Sequence, residues 1–160
     1  MTAAASTFTD RLTPNEQDLV IISANPNAGA RSGTDLVGEL TQELTQAGFE
    51  VQKISQIDQL APGIEAAYQS GRLRTVVAAG GDGTVALATN HTPESVPITI
   101  FPLGTENLLS KYLELTADPQ ATTNLIIGGQ PVRLDAGKAG DRIFLLMIGC
   151  GFDANVIHEL

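Results

Sequence analysis

Three short loops carry the residues of this chain that could do chemistry. In Val76-Val77-Ala78-Ala79-Gly80-Gly81-Asp82-Gly83-Thr84, an apolar strand pattern runs straight into a glycine-rich turn, and Thr84-Val85-Ala86-Leu87-Ala88 can start a helix. Gly80, Gly81 and Gly83 let the backbone approach an anion with no Cβ in the way, and the N–H groups of the turn and first helical residues then point at it. Asp82 and Thr84 add polar groups there. A hydroxyl can bond a phosphate oxygen, whereas a carboxylate beside phosphates acts mainly through a metal ion or water network. The same residues also suit an ordinary strand-to-helix turn capped by Asp. The other two loops are Asn25-Pro26-Asn27-Ala28-Gly29 and Pro102-Leu103-Gly104-Thr105-Glu106-Asn107.

Each loop follows an apolar run that reads as a strand: residues 19–22, 75–79 and 98–101. Between the first two, Ser32 with Asp35 resembles a capping box, and Leu36, Val37, Leu40, Leu44 and Ala47 recur at helical spacing until Gly48. Residues 49–54 alternate as a strand, and a second helix is expected from near Pro62 to Gln69, ended by Gly71. A short helix should follow the glycine loop, and Leu108, Leu109, Tyr112 and Leu113 give a further helix one apolar face. Strands alternating with helices make a parallel sheet covered on both sides, with ligands at the carboxyl ends of the strands, where all three loops lie.

From Pro131 the pattern changes. Residues 132–136 and 142–148 are strand-like, Gly140-Asp141 between them suits a tight turn, and Val156, Ile157 and Leu160 stand at helical spacing. The expected organisation is an N-terminal segment 1–16, an α/β domain 17–129 and a β-rich region 130–160.

With 160 residues, 42% hydrophobic and 17% charged, the chain can bury one sizeable core. The formal net charge of −9 opposes nucleic-acid binding by counterion release and docking on anionic lipid, so membrane contact must be local or apolar. One cysteine, Cys150, excludes an internal disulfide, and its neighbours Ile148 and Phe152 suggest a small buried side chain. Met1 to Thr9 lacks the basic start and apolar stretch of a signal peptide, and the longest apolar run, 143–148, is too short to span a bilayer; the default compartment is the cytoplasm. His91 and His158 read as solvated, and Asp153 as a cleft residue or an N-cap. Lys111 and Arg31 are the bases nearest the loops in sequence, although Lys111 also suits the polar side of its helix. No cluster of Cys, His and carboxylates stands at structural-metal spacing.

Taken together, Asn25-Pro26 with Gly29, the Gly80 to Thr84 loop, and Pro102-Leu103-Gly104-Thr105 followed by Asn107 resemble the catalytic region of diacylglycerol kinases, sphingosine kinases and bacterial lipid kinases. Leu134-Asp135-Ala136-Gly137-Lys138 and Gly149-Cys150-Gly151-Phe152-Asp153-Ala154 look like the segment where that family passes into a second, all-β domain. The resemblance implies an α/β, three-layer parallel-sheet nucleotide-binding domain of the NAD kinase/diacylglycerol kinase type, followed by the first hairpin of an incomplete all-β domain. It implies an ATP-dependent, Mg²⁺-using kinase that phosphorylates a lipid hydroxyl. Gly80, Gly81, Gly83 and Thr84 would cradle phosphates, Asn25 and Gly29 would line the neighbouring loop, Gly104, Thr105 and Asn107 would shape the cleft, and Asp82 would work through metal or phosphate geometry. The metal ligands are left unassigned.

Two loops depart from the family pattern: in the third, Glu106 stands where a small residue is common and Leu108 where an acidic one is, and in the first, Ala28 replaces a common serine. In the family the second domain continues well beyond this length and supplies the lipid pocket and an acidic general base. The chain is therefore expected to represent the nucleotide-binding half. The expected partners are a nucleotide, a lipid substrate once the second domain is supplied, a peripheral membrane contact, and a second copy of the chain through an exposed 143–148 strand, with no nucleic acid among them. A non-catalytic nucleotide-binding or interaction module is the alternative of another class. NAD kinases and phosphofructokinases share a glycine loop of this type, but Pro102 to Asn107 follows the lipid-kinase pattern.

Overall fold

Parallel strands buried on both faces need apolar residues at nearly every position, and the runs at 19–22 and 75–79 supply them. The computed structural model describes residues 17–24, 31–151 and 154. Its elements are β1 (Leu19–Ala24), α1 (Arg31–Gln46), β2 (Glu50–Ile54), α2 (Ile57–Gln69), β3 (Leu73–Gly80), α3 (Asp82–His91), β4 (Ile98–Pro102), α4 (Leu108–Tyr112), α5 (Pro119–Gly128), β5 (Gly137–Ala139) and β6 (Arg142–Phe144). The first four strands form one parallel sheet in the order β2-β1-β3-β4, and β5 pairs antiparallel with β6.

Successive residues of the central strands serve opposite layers. Ile21, Val76, Ala78 and Ile100 join Leu60 and Ile64 of α2, Val85 and Ala88 of α3 and Leu109 of α4 in one core. Val20, Ile22, Val77, Ala79 and Phe101 join Val37, Leu40 and Leu44 of α1 and Ile126 of α5 in the other. The result is three layers, helices on both faces of the sheet. Each fully buried Leu or Ile contributes about 1.5–3 kcal/mol, so these two clusters carry the fold.

Several elements differ from the sequence reading. Helix α5 has no counterpart in it. Its start is encoded by Asp118, whose carboxylate accepts the Ala121 N–H at 2.8 Å, and by Pro119 in the first turn. Its end is held from another element: the Arg74 guanidinium of β3 donates to the carbonyls of Ile126 at 2.8 Å and Ile127 at 3.1 Å, a cation at a helix C-terminus. Helix α2 begins five residues before Pro62, because its first turn is exposed and the Asp58 carbonyl that Pro62 cannot bond lies there. Helix α1 runs from Arg31, so Ser32 sits inside its first turn rather than before it.

Helix α4 is one short helix whose apolar residues split between two sides. Leu109 is buried and Leu113 packs against the same core, whereas Leu108 and Tyr112 are exposed. Residues 131–136 are irregular, and the hairpin is shorter than the expected strands, turning at Gly140 with φ +59°. Its edge is not bare, because Asn90 of α3 brackets Ile143: the Ile143 N–H donates to Asn90 Oδ1 at 2.8 Å and Asn90 Nδ2 donates to the Ile143 carbonyl at 2.9 Å. Among the described residues no strand covers 146–148, and Cys150 is exposed rather than buried. The expected helical spacing at Val156, Ile157 and Leu160, with Phe152, Asp153 and His158, lies outside the described residues.

At the amino ends of the strands, Arg72 joins three chain segments. Its guanidinium meets both Asp18 oxygens at 2.9 Å, just before β1, and Glu50 at 2.6 Å, at the start of β2. The hydrogen bond from Arg72, aided by its charge and opposed by desolvation, holds the Asp18 carboxyl below its ordinary 3.8. Arg72 is pushed up beyond its already high value by the same pair of carboxylates. Because the folded-state pKa of Asp18 is lowered, its contribution is complete above pH 3.8 and disappears as pH falls through the lower folded value. Melting temperatures of the wild type and Asp18→Asn are therefore expected to differ at neutral pH and low salt and to converge in acid. A gap that widens as pH falls would contradict this pairing. The pair is solvent-exposed, so salt should also narrow the gap.

Candidate functional site

The site begins where two strands end side by side. Gly80, the last residue of β3, pairs with Pro102 of β4, and the Leu103 N–H donates to the Gly80 carbonyl at 3.0 Å, so both following loops leave the sheet together. Gly80 is buried, and a Cβ there would strike the Thr84 side chain, which folds back beneath the turn and is itself buried.

Gly81 then caps α3 in extended backbone, φ −91° and ψ −171°. Its carbonyl accepts Thr84 N–H at 2.9 Å and Val85 N–H at 3.2 Å. The amides of Asp82 and Gly83 come before the first intrahelical acceptor, so this helix start directs donors outward from the sheet's carboxyl edge. Gly83 is exposed with open space where a Cβ would stand.

The second loop closes on the first. A Cβ on Gly104 would lie 2.6 Å from Gly81 Cα and 2.7 Å from Asn107 Oδ1, so the two backbones can touch here only because residue 104 is glycine. Asn107 has the left-handed backbone, φ 49° and ψ 51°, which Asn tolerates better than most residues. Its side chain clasps Gly104 from both sides: Nδ2 donates to the Gly104 carbonyl at 2.6 Å and Oδ1 accepts the Gly104 N–H at 3.1 Å. Thr105 is exposed at the tip, and Lys111 pairs loosely with Glu106 at 3.5 Å on the exposed rim.

Asp82 connects the two loops further. Its carboxylate oxygens accept the N–H groups of Leu108 at 3.0 Å and Leu109 at 3.2 Å, which opens α4. It does not cap its own helix α3. Among the described residues no three His, Cys, Asp or Glu side chains come together as metal ligands, so carboxylates alone build no Mg²⁺ cage here. Mg²⁺ characteristically keeps its waters and binds through one or two carboxylates plus substrate phosphates.

Gly80, Gly81, Asp82, Gly83, Thr84, Gly104, Thr105 and Asn107 thus gather at one edge of the sheet, while Asn25 and Gly29 lie outside the described residues. Sequence reasoning missed the Asp82 contact with α4, which spans 26 positions and leaves no local trace. It also missed Asn90, whose partner Ile143 lies 53 positions away.

A family model described as "Diacylglycerol kinase catalytic domain" matches residues 19–139. A diacylglycerol kinase of Staphylococcus saprophyticus is 28% identical over 144 residues, covering 84% of this chain and 46% of that protein. A "Probable lipid kinase YegS-like" of Pseudomonas putida is 36% identical over 85 residues, covering 51% of this chain and 28% of that protein. The crystal structure of a diacylglycerol kinase from Bacillus anthracis superposes with a TM-score of 0.59 at 27% identity, covering 84% of this chain and 47% of that one. The chain spans about half the length of the two diacylglycerol kinases it matches.

The loop contact predicts opposite outcomes for two glycines. Gly104→Ala meets backbone that cannot rotate away and should destabilise by about 1–3 kcal/mol. Gly83→Ala, helical and unobstructed, should be neutral or stabilise by up to about 1 kcal/mol. Urea unfolding of the two variants checks the pair, and equal stability would mean that the loops do not touch at Gly81 and Gly104.

Proposed function

The chain belongs to the diacylglycerol kinase catalytic-domain family, and from that premise we propose that it is the ATP-binding part of a lipid kinase that transfers phosphate to a lipid hydroxyl. The observation that carries this reading is the pair of glycine loops closed against each other at the carboxyl edge of the sheet, with the start of α3 between them and the strands. Phosphoryl transfer needs positioning and charge stabilisation far more than covalent help from the protein, and a rigid array of amides meets the first need.

In this reading Gly81, Gly83 and the amide of Asp82 approach the phosphates. Gly80 and the buried Thr84 support the turn from below, and Gly104, Thr105 and Asn107 form the opposite wall. Asn25 and Gly29, which follow β1 in the sequence, are proposed for the same site on the family resemblance alone. Mg²⁺ would arrive with the nucleotide and neutralise phosphate charge. The lipid and the group that activates its hydroxyl are proposed to belong to protein beyond the α/β domain of residues 17–129, with the hairpin of β5 and β6 opening that second region. No helix among the described residues is long and apolar enough to cross a membrane.

Gly81 offers a direct test. Its φ of −91° suits any L-residue and a Cβ would sit 3.5 Å from Gly104 Cα, so the backbone itself does not forbid a side chain. Gly81→Val places branched methyls between the loops, where phosphate must approach. Titrated with ATP and Mg²⁺, the variant should bind at least about tenfold more weakly, a loss of about 1.4 kcal/mol, with an unchanged circular dichroism spectrum. Equal affinity would remove the glycine loop from the nucleotide site.

A further inference from the structure

We propose that Asp82 is a positioning residue: by capping α4 across the site it locks the 104–107 loop against the glycine loop, and nucleotide affinity depends on it as a hydrogen-bond acceptor rather than as a charge on the phosphates or metal. This rests on the reading of the two loops as a nucleotide cradle.

Helix α4 has five residues and its N-cap, Asn107, makes no side-chain cap, because that side chain is engaged with both polar groups of Gly104. The first two amides of α4 would otherwise lack partners, and each takes one oxygen of Asp82. The cap therefore comes from the start of α3. It is the third of three consecutive ties between the same two segments. Gly80 pairs with Pro102 and receives the Leu103 N–H, Gly81 touches Gly104, and Asp82 holds Leu108 and Leu109. With Leu109 and Ser110 buried beneath it, α4 is seated on the core, so the cap fixes the loop between two anchored points.

Leu108 bears on the choice between the two roles. It presents an apolar side chain at the position next to the clasp, and no group of three or more His, Cys, Asp or Glu that could hold a metal ion occurs among the described residues. What position 108 contributes to Asp82 is its backbone N–H. Asn at this position has one acceptor oxygen and can keep one of the two bonds, its NH2 facing the other N–H, whereas Ala keeps neither.

The experiment compares the full chain with Asp82→Ala, Asp82→Asn and Asp82→Ser, reading amide hydrogen exchange at Leu108 and Leu109 and the Kd for ATP with Mg²⁺. Loss of the cap in Asp82→Ala should release both amides and weaken ATP roughly five- to thirtyfold. Asp82→Asn, with one acceptor oxygen, should protect one of the two amides and regain part of the affinity. Affinity that tracks amide protection across the variants sustains the proposal. A variant in which they part company overturns it, above all an Asp82→Asn protein with one amide protected that binds ATP as poorly as the alanine variant, since charge would then be acting directly. An alanine variant unchanged in both readouts overturns it too. If the alanine variant does not fold, Asp82→Asn against wild type decides by the same criterion. Should the wild type bind no ATP, the cradle reading fails by itself, and the exchange data decide separately whether Asp82 is the cap.

Discussion

Two backbones reach van der Waals contact only where neither carries a Cβ in the way, and the contact of Gly81 with Gly104 is the constraint on which the site depends. It requires β3 and β4 to be neighbours and to end level with each other, which the pairing of Gly80 with Pro102 achieves. It requires a left-handed turn a few residues later, which Asn107 supplies while its side chain braces Gly104. Given those conditions, α4 must start beside α3, and the carboxylate at the first position of α3 is within reach of its amides. A larger residue at 104 would part the loops, and the later contacts would lose their geometry with them.

The two edges of the sheet are built from different physics. At the amino edge, charge does the joining: Arg72 gathers Asp18 and Glu50, tying β1, β2 and β3 where they begin. At the carboxyl edge, among the described residues, β3 and β4 are followed by loops joined through backbone contact and through hydrogen bonds of Asn107 and Asp82, and the amides at the helix starts carry partial positive charge. For a chain of formal net charge −9 this distinction has weight, because an anionic ligand gains little from the protein's overall field and must be attracted locally. Even Lys111, the base that follows the third loop, is turned to Glu106 on the rim.

The layered fold was legible because its signals are local and redundant. The apolar runs of β1 and β3, the 3.6-residue recurrence of Leu36, Leu40 and Leu44, and a glycine turn after the third strand each point to the same architecture. The family resemblance rested on three loops in order, two of which the structure brings into contact. What escaped was set by partners far away in sequence. Helix α5 carries a readable start at Asp118-Pro119, yet its packing against the sheet and the grip of Arg74 on its end come from elsewhere. The hairpin is shorter than its composition suggests because Ile143 to Ile148 has strand character throughout, whereas strand formation needs a partner and only three residues on each side find one. Asp82 could be singled out by its glycine neighbours but not given its partner, since α4 begins in another loop.

Helix α3 joins these features, because ties at its two ends fix it about its own axis. Asp82 opens the helix and binds α4; Asn90, eight residues later, binds both polar groups of Ile143 in β6. At about 100° per residue, eight steps leave the two side chains roughly 80° apart around the helix and about 12 Å apart along it. One tie would let a short helix roll in its groove, but two ties in different directions, with Val85 and Ala88 buried on the core side, do not. The amides at the start of α3 are thereby aimed by contacts at both ends, and the hairpin is attached to the same rigid piece that carries the glycine loop. A displacement of the hairpin must either break the bracket on Ile143 or turn the helix that presents the glycine-loop amides.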